Sequence, residues 1–589
     1  HADTDKLENA WFVPKSRIDE FEDDEIVYDL DENGLKRRCE YAKGTFIYRL
    51  AGRDRQKSAS YYTPQVLTSC LVKYALKELL NSERVSCADD ILTLTVCEPA
   101  MGSAAFLNEA VNQLAEAYLE RKQSELGKRI LHDEYAKELQ KVRMYLADRN
   151  VFGVDLNPVA VELAEVSLWL NAIYGDTDSE GQPLPARVPW FGYQLFAGNS
   201  LIGARNQVYG AHQLIKGATP IWYEAEPRRA SLAEPRKADE VWHFLLPDPG
   251  MSNYTDKNAK KLYPQEFEAI KKWRKEWTKP LENHEVGRLQ QLSARVDELW
   301  AEHIAALARD RAMTEDSLPV WPQQLSDEEK ISGIKQAQKD AIRQKGMLNS
   351  DDDIATPYRR LKLVMDYWCA LWFWPISNAV NLPSRDLWWM EIGAILEGNI
   401  IELAVQPELD LSGKDTDAQE VLVPDIQSSF EGFESQLPLT QASSEKSIHD
   451  RLGQLRISKL RQHFPRIKLM EDVTNTRRFM HWQLTFADVL LQRGGFDLIL
   501  GNPPWLKVEW NESGVLGERN PVFAIRKISA SDLAKLRGES FSDFPGLQND
   551  WTQELQEAEG TQNFLNGYQN YSLLKGVQTN LYKCFMPLV

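Results

Sequence analysis

One short stretch near the C-terminal end of the sequence constrains the fold more than any other. Residues Phe496–Leu500 are mostly apolar and bounded by glycines, which is typical of a buried strand in a parallel sheet. Pro503 and Pro504 end this strand, because a proline donates no ladder hydrogen bond and its φ is fixed. Asn502 and Trp505 are therefore predicted at the carboxyl edge of a strand, where open α/β sheets bind their ligands.

The chemistry of this stretch leaves two interpretations open. A primary amide beside a flat aromatic ring suits a planar, hydrogen-bonding substrate such as a nucleobase. A plain exit from a strand into a loop explains the same residues, because Asn-Pro and Pro-Pro are common chain breakers. The decision between the two depends on the sequence upstream.

Two upstream segments show the same succession of apolar strand, acidic residue, tight turn and helix. The run Ile91–Cys97 leads into Glu98 and then into small residues that let a ligand approach the backbone, with a helix start behind them. The second run leads into Asp155, roughly where doubly wound folds place the carboxylate that holds a ribose diol. No Gly-Lys-Ser/Thr sequence follows either strand, which excludes an ATP P-loop.

Two more segments complete the pattern. Thr63 is predicted to cap a helix that has Pro64 at its first position. The apolar spacing that supports this helix comprises Val66, Leu67, Leu71, Ala75 and Leu79. Asn199 follows a third predicted strand, and its amide can hydrogen-bond an adenine edge. Each segment alone has a plain structural explanation, whereas their succession on α/β units predicts a shared ligand site.

Composition limits the class of protein. The 589 residues suffice for two to four domains, and 43% hydrophobic with 26% charged residues is typical of a soluble globular protein. The net charge of −18 argues against a surface that is basic throughout, but it allows a local basic stripe. Six scattered cysteines without metal-ligand spacing predict a reduced, cytoplasmic protein without a structural metal. No apolar stretch is long enough to span a bilayer, so no membrane contact is expected.

Pattern and composition divide the chain into four parts. We expect an N-terminal arm at 1–60, one half of an α/β core at 61–205, a mainly helical insertion at 206–475 and the other half at 476–589. Within the insertion, helices are predicted at 267–277, 289–309 and 330–344, a tryptophan-rich core around Trp368, Trp372 and Trp374, and a flexible acidic connection at about 407–447.

A basic segment at 451–478 precedes the predicted strand at 496–500 in an otherwise acidic protein. Such a segment is a candidate for contacts with nucleic-acid phosphates, although basic helices often only balance acidic neighbours. The candidate DNA-binding residues are Arg456, Lys459, Arg461, Arg477, Arg478 and Lys507.

Together the motifs resemble those of S-adenosylmethionine-dependent DNA adenine-N6 methyltransferases of the gamma order. Within that group the chain resembles the large type IIG enzymes and the BREX and DISARM phage-defence methylases. The matching positions are Tyr62–Pro64 for the cofactor helix, Glu98–Ala104 for the cofactor loop, Asp155 for the ribose-binding acid, Asn199 for the adenine contact and Asn502–Trp505 for the Asn-Pro-Pro-aromatic motif. The resemblance covers roughly residues 60–205 and 475–589.

The resemblance implies the fold and the site. The expected fold is α/β, a Rossmann-like class I methyltransferase sheet with a large, mainly helical insertion. The implied catalytic residues are Asn502, Pro503, Pro504 and Trp505. The implied S-adenosylmethionine-binding residues are Tyr62, Thr63, Pro64, Glu98, Pro99, Ala100, Gly102, Ser103, Phe106, Asp155, Leu156, Asn199, Ser200 and Leu201. Ala104 stands where the family usually has a second glycine. If this position requires a positive φ, alanine is expected to weaken cofactor binding, because only glycine adopts that conformation without strain.

The implied substrate is an adenine flipped out of double-stranded DNA, without a metal, in a restriction-modification or phage-defence system. Other defence proteins are further expected partners, and the sequence leaves the oligomeric state open. Both ends look cut, since the chain starts at His1 and stops before the family's final strands and target-recognition domain.

Other functions remain open at this point. RNA and protein-glutamine methyltransferases also use an Asn-Pro-Pro-aromatic motif, although those enzymes are usually compact. A catalytically silent cofactor- or DNA-binding subunit of a defence complex is a third interpretation. A cytosine-C5 methyltransferase is excluded, because it needs a Pro-Cys nucleophile and the chain has no Pro-Cys pair.

Overall fold

A computed structural model describes residues 10–30, 34–47, 63–323, 334–349, 353–398, 448–450 and 453–588, except for positions 176, 178, 179, 181, 185, 186, 232, 527 and 578. Tyr62 and the predicted connection at 407–447 lie outside the described residues. None of the helices within the described ranges combines the length and apolarity that crossing a membrane requires.

The strands of the described chain are β1 (Tyr28–Leu30), β2 (Lys36–Arg38), β3 (Val96–Glu98), β4 (Val151–Asp155), β5 (Leu195–Ala197), β6 (Gln207–Gly210), β7 (Arg228–Arg229), β8 (Glu240–Trp242) and β9 (Leu498–Ile499). The helices before residue 400 are α1 (Gln65–Leu80), α2 (Ala88–Ile91), α3 (Ala105–Leu126), α4 (His132–Arg149), α5 (Pro158–Ala172), α6 (Lys257–Leu262), α7 (Pro264–Trp277), α8 (Asn283–Thr314), α9 (Gln336–Lys345), α10 (Pro357–Ala370) and α11 (Arg385–Glu397).

The later helices are α12 (Ile457–His463), α13 (Pro465–Arg477), α14 (Trp482–Thr485), α15 (Ala487–Gln492), α16 (Glu512–Gly517), α17 (Val522–Ile525), α18 (Ala530–Asp543), α19 (Leu547–Asn566), α20 (Tyr568–Tyr571) and α21 (Leu581–Leu588). Short 3-10 turns occupy Lys15–Glu20, Asp23–Glu25, Ala211–Gln213, Trp222–Glu224, His243–Leu245, Ile376–Asn381 and Ser572–Leu574.

The central sheet has four parallel strands in the order β5-β4-β3-β9. Val96 of β3 is in register with Val151 of β4 on one side and with Leu498 of β9 on the other. In chain order the strands therefore run third, second, first, fourth, which is the order of doubly wound Rossmann-type sheets. The α/β prediction is confirmed. The order in which the strands are added reverses between β3 and β9, and open α/β sheets bind their ligands at such a switch point.

Two strand predictions differ from the structure at their ends. The predicted strand from Ile91 begins only at Val96, because residues 88–91 form α2, where Asp90 accepts hydrogen bonds from the backbone of Ser86 and Cys87. The predicted strand at 496–500 shortens to the two residues of β9. The extents of β3 and β9 are thus set by their pairing with strands that are distant in sequence, and local sequence does not indicate where that pairing stops.

The helix that the apolar spacing at 66–79 supports is present as α1, from Gln65 to Leu80. Thr68, Val72 and Leu76 are its buried residues, whereas Val66 and Leu67 are 80% and 54% exposed. The helix packs against α3, where Gln113 donates a hydrogen bond to the Ser69 carbonyl at 3.1 Å. Packing against this neighbour therefore decides which residues of α1 are buried.

The three helices predicted in the segment 206–475 are present. Helices α7 and α8 cover the first two predicted segments, and α9 covers the third from Gln336 onwards, while residues 330–333 lie outside the described residues. The segment also contains the antiparallel sheet β7-β6-β8, which was not predicted. Trp368, Trp372 and Trp374 are at most 1% exposed, so the prediction that they form a core is confirmed. The same apolar cluster extends to Leu201 before the insertion and to Phe585 after it.

Buried hydrogen bonds connect Asp366 in α10 to His481, which lies in the segment that leads into β9. His481 donates from Nε2 to Asp366 Oδ1 at 2.9 Å, and its Nδ1 accepts from the Ala204 backbone N–H at 3.0 Å. Lys362 donates to the second Asp366 oxygen at 2.5 Å. Because a buried carboxylate is costly unless it is paired, these contacts fix α10 against the residues that follow β5.

Two buried histidines each contribute less to stability in mild acid. Burial lowers the pKa of His243 to about 3 and that of His303 to about 4, both below the ordinary value of 6.5. Each imidazole therefore binds a proton more readily in the unfolded chain, and its contribution to stability falls as the pH decreases through 6.5. Between pH 7.5 and 5.5 each histidine should cost about 1.4 kcal/mol. The raised pKa values of Asp248 and Glu98 act in the opposite direction, so the effect of one histidine is measured against a variant that lacks it.

Urea denaturation at the two pH values, followed by tryptophan fluorescence, measures the effect of His303. His303→Gln retains a side-chain donor for the Leu484 carbonyl, which His303 contacts at 2.7 Å. Between pH 7.5 and 5.5 this variant should therefore lose about 1.4 kcal/mol less than the wild type. An equal change of stability in the wild type and in His303→Gln would contradict the prediction.

Candidate active site

Three strand ends meet at the carboxyl edge of the sheet. Glu98 ends β3, Asp155 ends β4 and Gly501 follows β9. Gly501 adopts a φ of +156°, and a Cβ there would lie 3.6 Å from Glu98 Cγ, so the backbone after β9 passes directly beside this carboxylate. The residues predicted for cofactor binding and for catalysis thus border one site.

The loop after β3 is held by side chains from the ends of β4 and β5. Asp155 Oδ2 accepts from the Gly102 backbone N–H at 2.9 Å, while Oδ1 accepts from Asn157 N–H at 2.8 Å. Ser200, which follows β5, donates from Oγ to the Pro99 carbonyl at 2.5 Å. A Cβ at Gly102 would meet no atom within 4 Å, so the loop faces open space that a ligand can occupy.

Glu98 is a buried carboxyl group with a raised pKa. The residue is 2% exposed, and burial raises the pKa of its carboxyl group well above the usual range. The Leu107 N–H donates to Glu98 at 3.4 Å and partly offsets this effect, whereas the charge on Asp155 adds to it. A positively charged ligand group in this place would favour the ionised carboxylate, because an opposite charge nearby lowers a carboxyl pKa.

The loop contains a strained residue. Ala104 has φ 63° and ψ 39°, a left-handed conformation that an L-residue other than glycine rarely adopts. Among the described residues only Ala104, Ser252 and Arg478 are non-glycine residues with positive φ, and Ala104 and Arg478 both lie at this site. The position where the family has a glycine therefore does require a positive φ.

Ala104→Gly is expected to be tolerated although it deletes a fully buried methyl group. Relief of left-handed strain should return about 1 kcal/mol, which offsets the roughly 0.8 kcal/mol of lost burial. Ala110→Gly in α3, the helix that follows Ala104, is the matched control: Ala110 is also fully buried but has no strain to relieve, so this change should destabilise by about 1.5 kcal/mol. Equal losses in urea denaturation of the two variants would contradict strain at Ala104.

On the other side of the site, the Asn502 amide is held at both ends. Its Nδ2 donates to Thr63 Oγ1 at 3.4 Å, and its Oδ1 accepts from Trp505 Nε1 at 3.2 Å. The indole N–H is only a donor, so this contact determines which end of the amide is the oxygen. Asn502 is an exposed residue, and its amide oxygen can accept a second hydrogen bond beside the one from Trp505.

Trp505 presents a flat surface beside that amide. The residue is 69% exposed, and one face of the ring stacks on Tyr582 of α21 with centroids 4.6 Å apart and an interplanar angle of 20°. Tyr582 was not predicted as a site residue. Its sequence neighbourhood has no signal for this role, because the contact joins α21 to a distant loop.

Thr63 does not have its predicted role as a helix cap. Pro64 has φ −55° and ψ 137°, and its carbonyl accepts the first helical hydrogen bond from Leu67 N–H at 2.9 Å. Helix α1 therefore begins at Gln65 with Pro64 as its N-cap, and no side-chain hydrogen bond caps it. The Thr63 hydroxyl contacts Asn502 instead, so the capping prediction is wrong although Thr63 borders the site.

Other predicted cofactor residues are buried or partly exposed. Phe106 and Leu201 are 2% and 5% exposed and belong to apolar clusters, while Leu156 is half exposed. Asn199 Oδ1 accepts from Leu201 N–H at 3.2 Å. Contact of these side chains with a cofactor stays a prediction.

The predicted DNA-binding residues have the following contacts. Arg456 pairs with Asp450 at 2.5 Å, Arg461 with Glu471 through two bonds of 2.6 and 2.8 Å, and Arg477 with Glu557 at 2.5 Å. Lys459 donates to the His449 carbonyl, Arg478 donates to the Leu156 carbonyl at 2.9 Å, and Lys507 is exposed. Partners within the chain favour the charge-balancing interpretation for the first three arginines, and DNA contact stays a prediction.

Comparison with known proteins gives a partial match. No protein-family model matches the chain, and no solved structure matches it. The chain is 26% identical over 204 residues to a candidate type II restriction enzyme and methyltransferase of Methanocaldococcus jannaschii. This match covers 28% of the chain and 16% of that relative's length. Over this part, the chain shows a relationship to restriction-modification methyltransferases.

Proposed function

We propose that the protein is a DNA adenine-N6 methyltransferase that uses S-adenosylmethionine and acts in a restriction-modification or phage-defence system. One observation carries the proposal: Thr63 and Trp505 hold the Asn502 amide. This amide lies where the strand order reverses between β3 and β9, near the buried Glu98 carboxyl group. A hydrogen-bond acceptor for an amino group and a cation site thus lie on neighbouring strands β9 and β3.

The residues on the cofactor side fit S-adenosylmethionine. Asp155 at the end of β4 would hold the ribose diol, the buried Glu98 suits a cationic group, and the open space at Gly102 leaves room for the ligand against the loop. When bound, S-adenosylmethionine supplies an electrophilic methyl group. The chain's own task is then to position and activate the nitrogen that accepts it.

Asn502 and Pro503 supply that activation. The N6 amino nitrogen of adenine is a poor nucleophile, because its lone pair is delocalised into the ring. Asn502 Oδ1 and the Pro503 carbonyl would accept its two N–H groups, favour tetrahedral geometry and stabilise the positive charge that develops on nitrogen. Because Thr63 and Trp505 already hold the amide, little reorganisation is needed during the reaction.

Trp505 supplies a surface for the base. An adenine inside a duplex cannot reach this site, so it must be flipped out of the helix. The free face of Trp505, backed by Tyr582, would stack on the flipped base, which contributes about 1–3 kcal/mol. Because Trp505 Nε1 contacts Asn502, a base stacked on this ring lies with one edge next to the acceptor oxygen.

Mass analysis tests the proposed reaction. Unmethylated double-stranded DNA, total RNA and a protein extract are each incubated with the protein and methyl-labelled S-adenosylmethionine, then digested and analysed. Labelled N6-methyladenine from DNA is the expected product. Label in RNA or glutamine instead would identify the rival enzyme classes, and cofactor binding without any labelled product would identify a silent subunit. Sequencing a host genome for N6-methyladenine with and without the gene tests the defence role.

A further inference from the structure

Arg478 has a backbone conformation that demands an explanation. Its φ of 53° and ψ of 54° place it in the left-handed region, directly after α13. A side chain other than glycine or asparagine pays a steric penalty there, and such residues persist mainly where surrounding contacts or a functional site require them. The contacts of Arg478 show what its conformation achieves.

Arg478 joins the ends of two neighbouring strands. Its backbone carbonyl accepts from the Asn199 N–H at 2.6 Å, just beyond β5. Its guanidinium donates from Nη1 to the Leu156 carbonyl at 2.9 Å, just beyond β4. Leu156 follows Asp155, whose carboxylate holds the loop at Gly102. One strained residue therefore connects the adenine side of the candidate cofactor site to its ribose side.

The chain after Arg478 keeps this arrangement in register. Phe479 forms a parallel bridge with Asn199, and Met480 N–H donates to the Ile202 carbonyl at 2.9 Å. Trp482 donates from its indole to the Ser200 carbonyl at 3.0 Å. The approach is tight, since a Cβ at Gly203 would lie 1.9 Å from the Met480 carbonyl oxygen. A shift of this segment would therefore move Arg478 away from both strand ends.

We propose that Arg478 is a positioning residue of the cofactor pocket, which holds Leu156 and Asn199 in place for the adenosine part of S-adenosylmethionine. The inference rests on the proposed function, and it differs from the phosphate contact expected from the basic segment. The neighbouring Arg477 points elsewhere: it pairs with Glu557 and donates to the Gln553 carbonyl at 3.3 Å. The two adjacent arginines thus have separate roles.

The test compares Arg478→Ala with Arg477→Ala as the matched control. Calorimetric titration with S-adenosylmethionine in the absence of DNA measures cofactor affinity, and initial rates measure KM for cofactor and for DNA. Arg478→Ala should weaken cofactor binding about tenfold and raise KM for the cofactor in parallel, because a hydrogen bond from a charged group to the pocket is lost. KM for DNA should stay within about twofold, and Arg477→Ala should leave cofactor affinity unchanged.

Arg478→Gly separates the side chain from the backbone. Glycine adopts a positive φ without strain, so this variant should keep its thermal stability and still lose about tenfold in cofactor affinity. Wild-type affinity in the Ala or Gly variant would overturn the inference. A raised KM for DNA with a reduced salt dependence and unchanged cofactor affinity would also overturn it, because those are the signs of a phosphate contact. A wild-type protein that binds no S-adenosylmethionine would overturn the proposed function, and the inference with it.

Discussion

Asn502→Ala is expected to reduce the rate of methyl transfer about 100- to 1000-fold, while affinity for S-adenosylmethionine stays within about threefold of the wild type. The substitution removes the amide oxygen that Trp505 contacts at 3.2 Å, and with it the acceptor proposed for the target amino group. In the proposed site, cofactor binding depends instead on Glu98 and Asp155, which the change leaves in place.

Asn511→Ala is a matched control for that experiment. Asn511 is an asparagine shortly after the site, and its side chain accepts from Gly514 N–H at 2.9 Å at the start of α16. Its loss should cost about 1 kcal/mol of stability through the lost cap, without a change in turnover. Single-turnover rates with saturating cofactor and DNA separate transfer from binding. Turnover within tenfold of the wild type in Asn502→Ala would sink the catalytic assignment.

Asp155→Asn is expected to weaken S-adenosylmethionine binding about 10- to 100-fold. The two Asp155 oxygens accept from Gly102 N–H at 2.9 Å and from Asn157 N–H at 2.8 Å. An asparagine of the same shape has only one oxygen, so one of these backbone donors loses its acceptor and meets an NH2 group instead. The loop after β3 should then lose its fixed position, and the carboxylate proposed to hold the ribose diol is gone as well.

Calorimetric titration of cofactor into wild-type and variant protein measures this effect. Asp133→Asn makes the same change on an exposed carboxylate in the first turn of α4 and should leave affinity unaltered. KM for DNA should change little in Asp155→Asn, because the Asn502 side of the site is not altered. Equal cofactor affinity in Asp155→Asn and wild type would show that the ligand is not held at the end of β4.

Local sequence patterns predicted the parts of the fold that neighbouring residues decide. The strand ends at Glu98, Asp155 and Asn502 were predictable because apolar runs that stop at acidic residues, glycines or prolines leave the chain few alternatives. The helices of the insertion were predictable from their apolar period, and the burial of Trp368 and Trp372 followed from the size of their side chains.

Predictions failed where the outcome depends on distant residues. Thr63 was expected to cap α1, but its hydroxyl contacts Asn502 from the opposite end of the sequence. The apolar spacing indicated helix α1, but packing against α3 decides that Val66 and Leu67 are exposed. In both cases the local pattern is compatible with two arrangements, and a tertiary contact selects one.

Residues adjacent in the chain predict an α/β sheet whose strands lead into Glu98, Asp155 and the Asn-Pro-Pro-Trp motif, because the apolar runs and the residues that stop them are local features. How the site is held follows only from the tertiary structure. It placed Tyr582 behind Trp505 and Arg478 between Leu156 and Asn199. Such contacts join residues that are far apart in sequence, so they exist only once the strands have paired and the helices have packed.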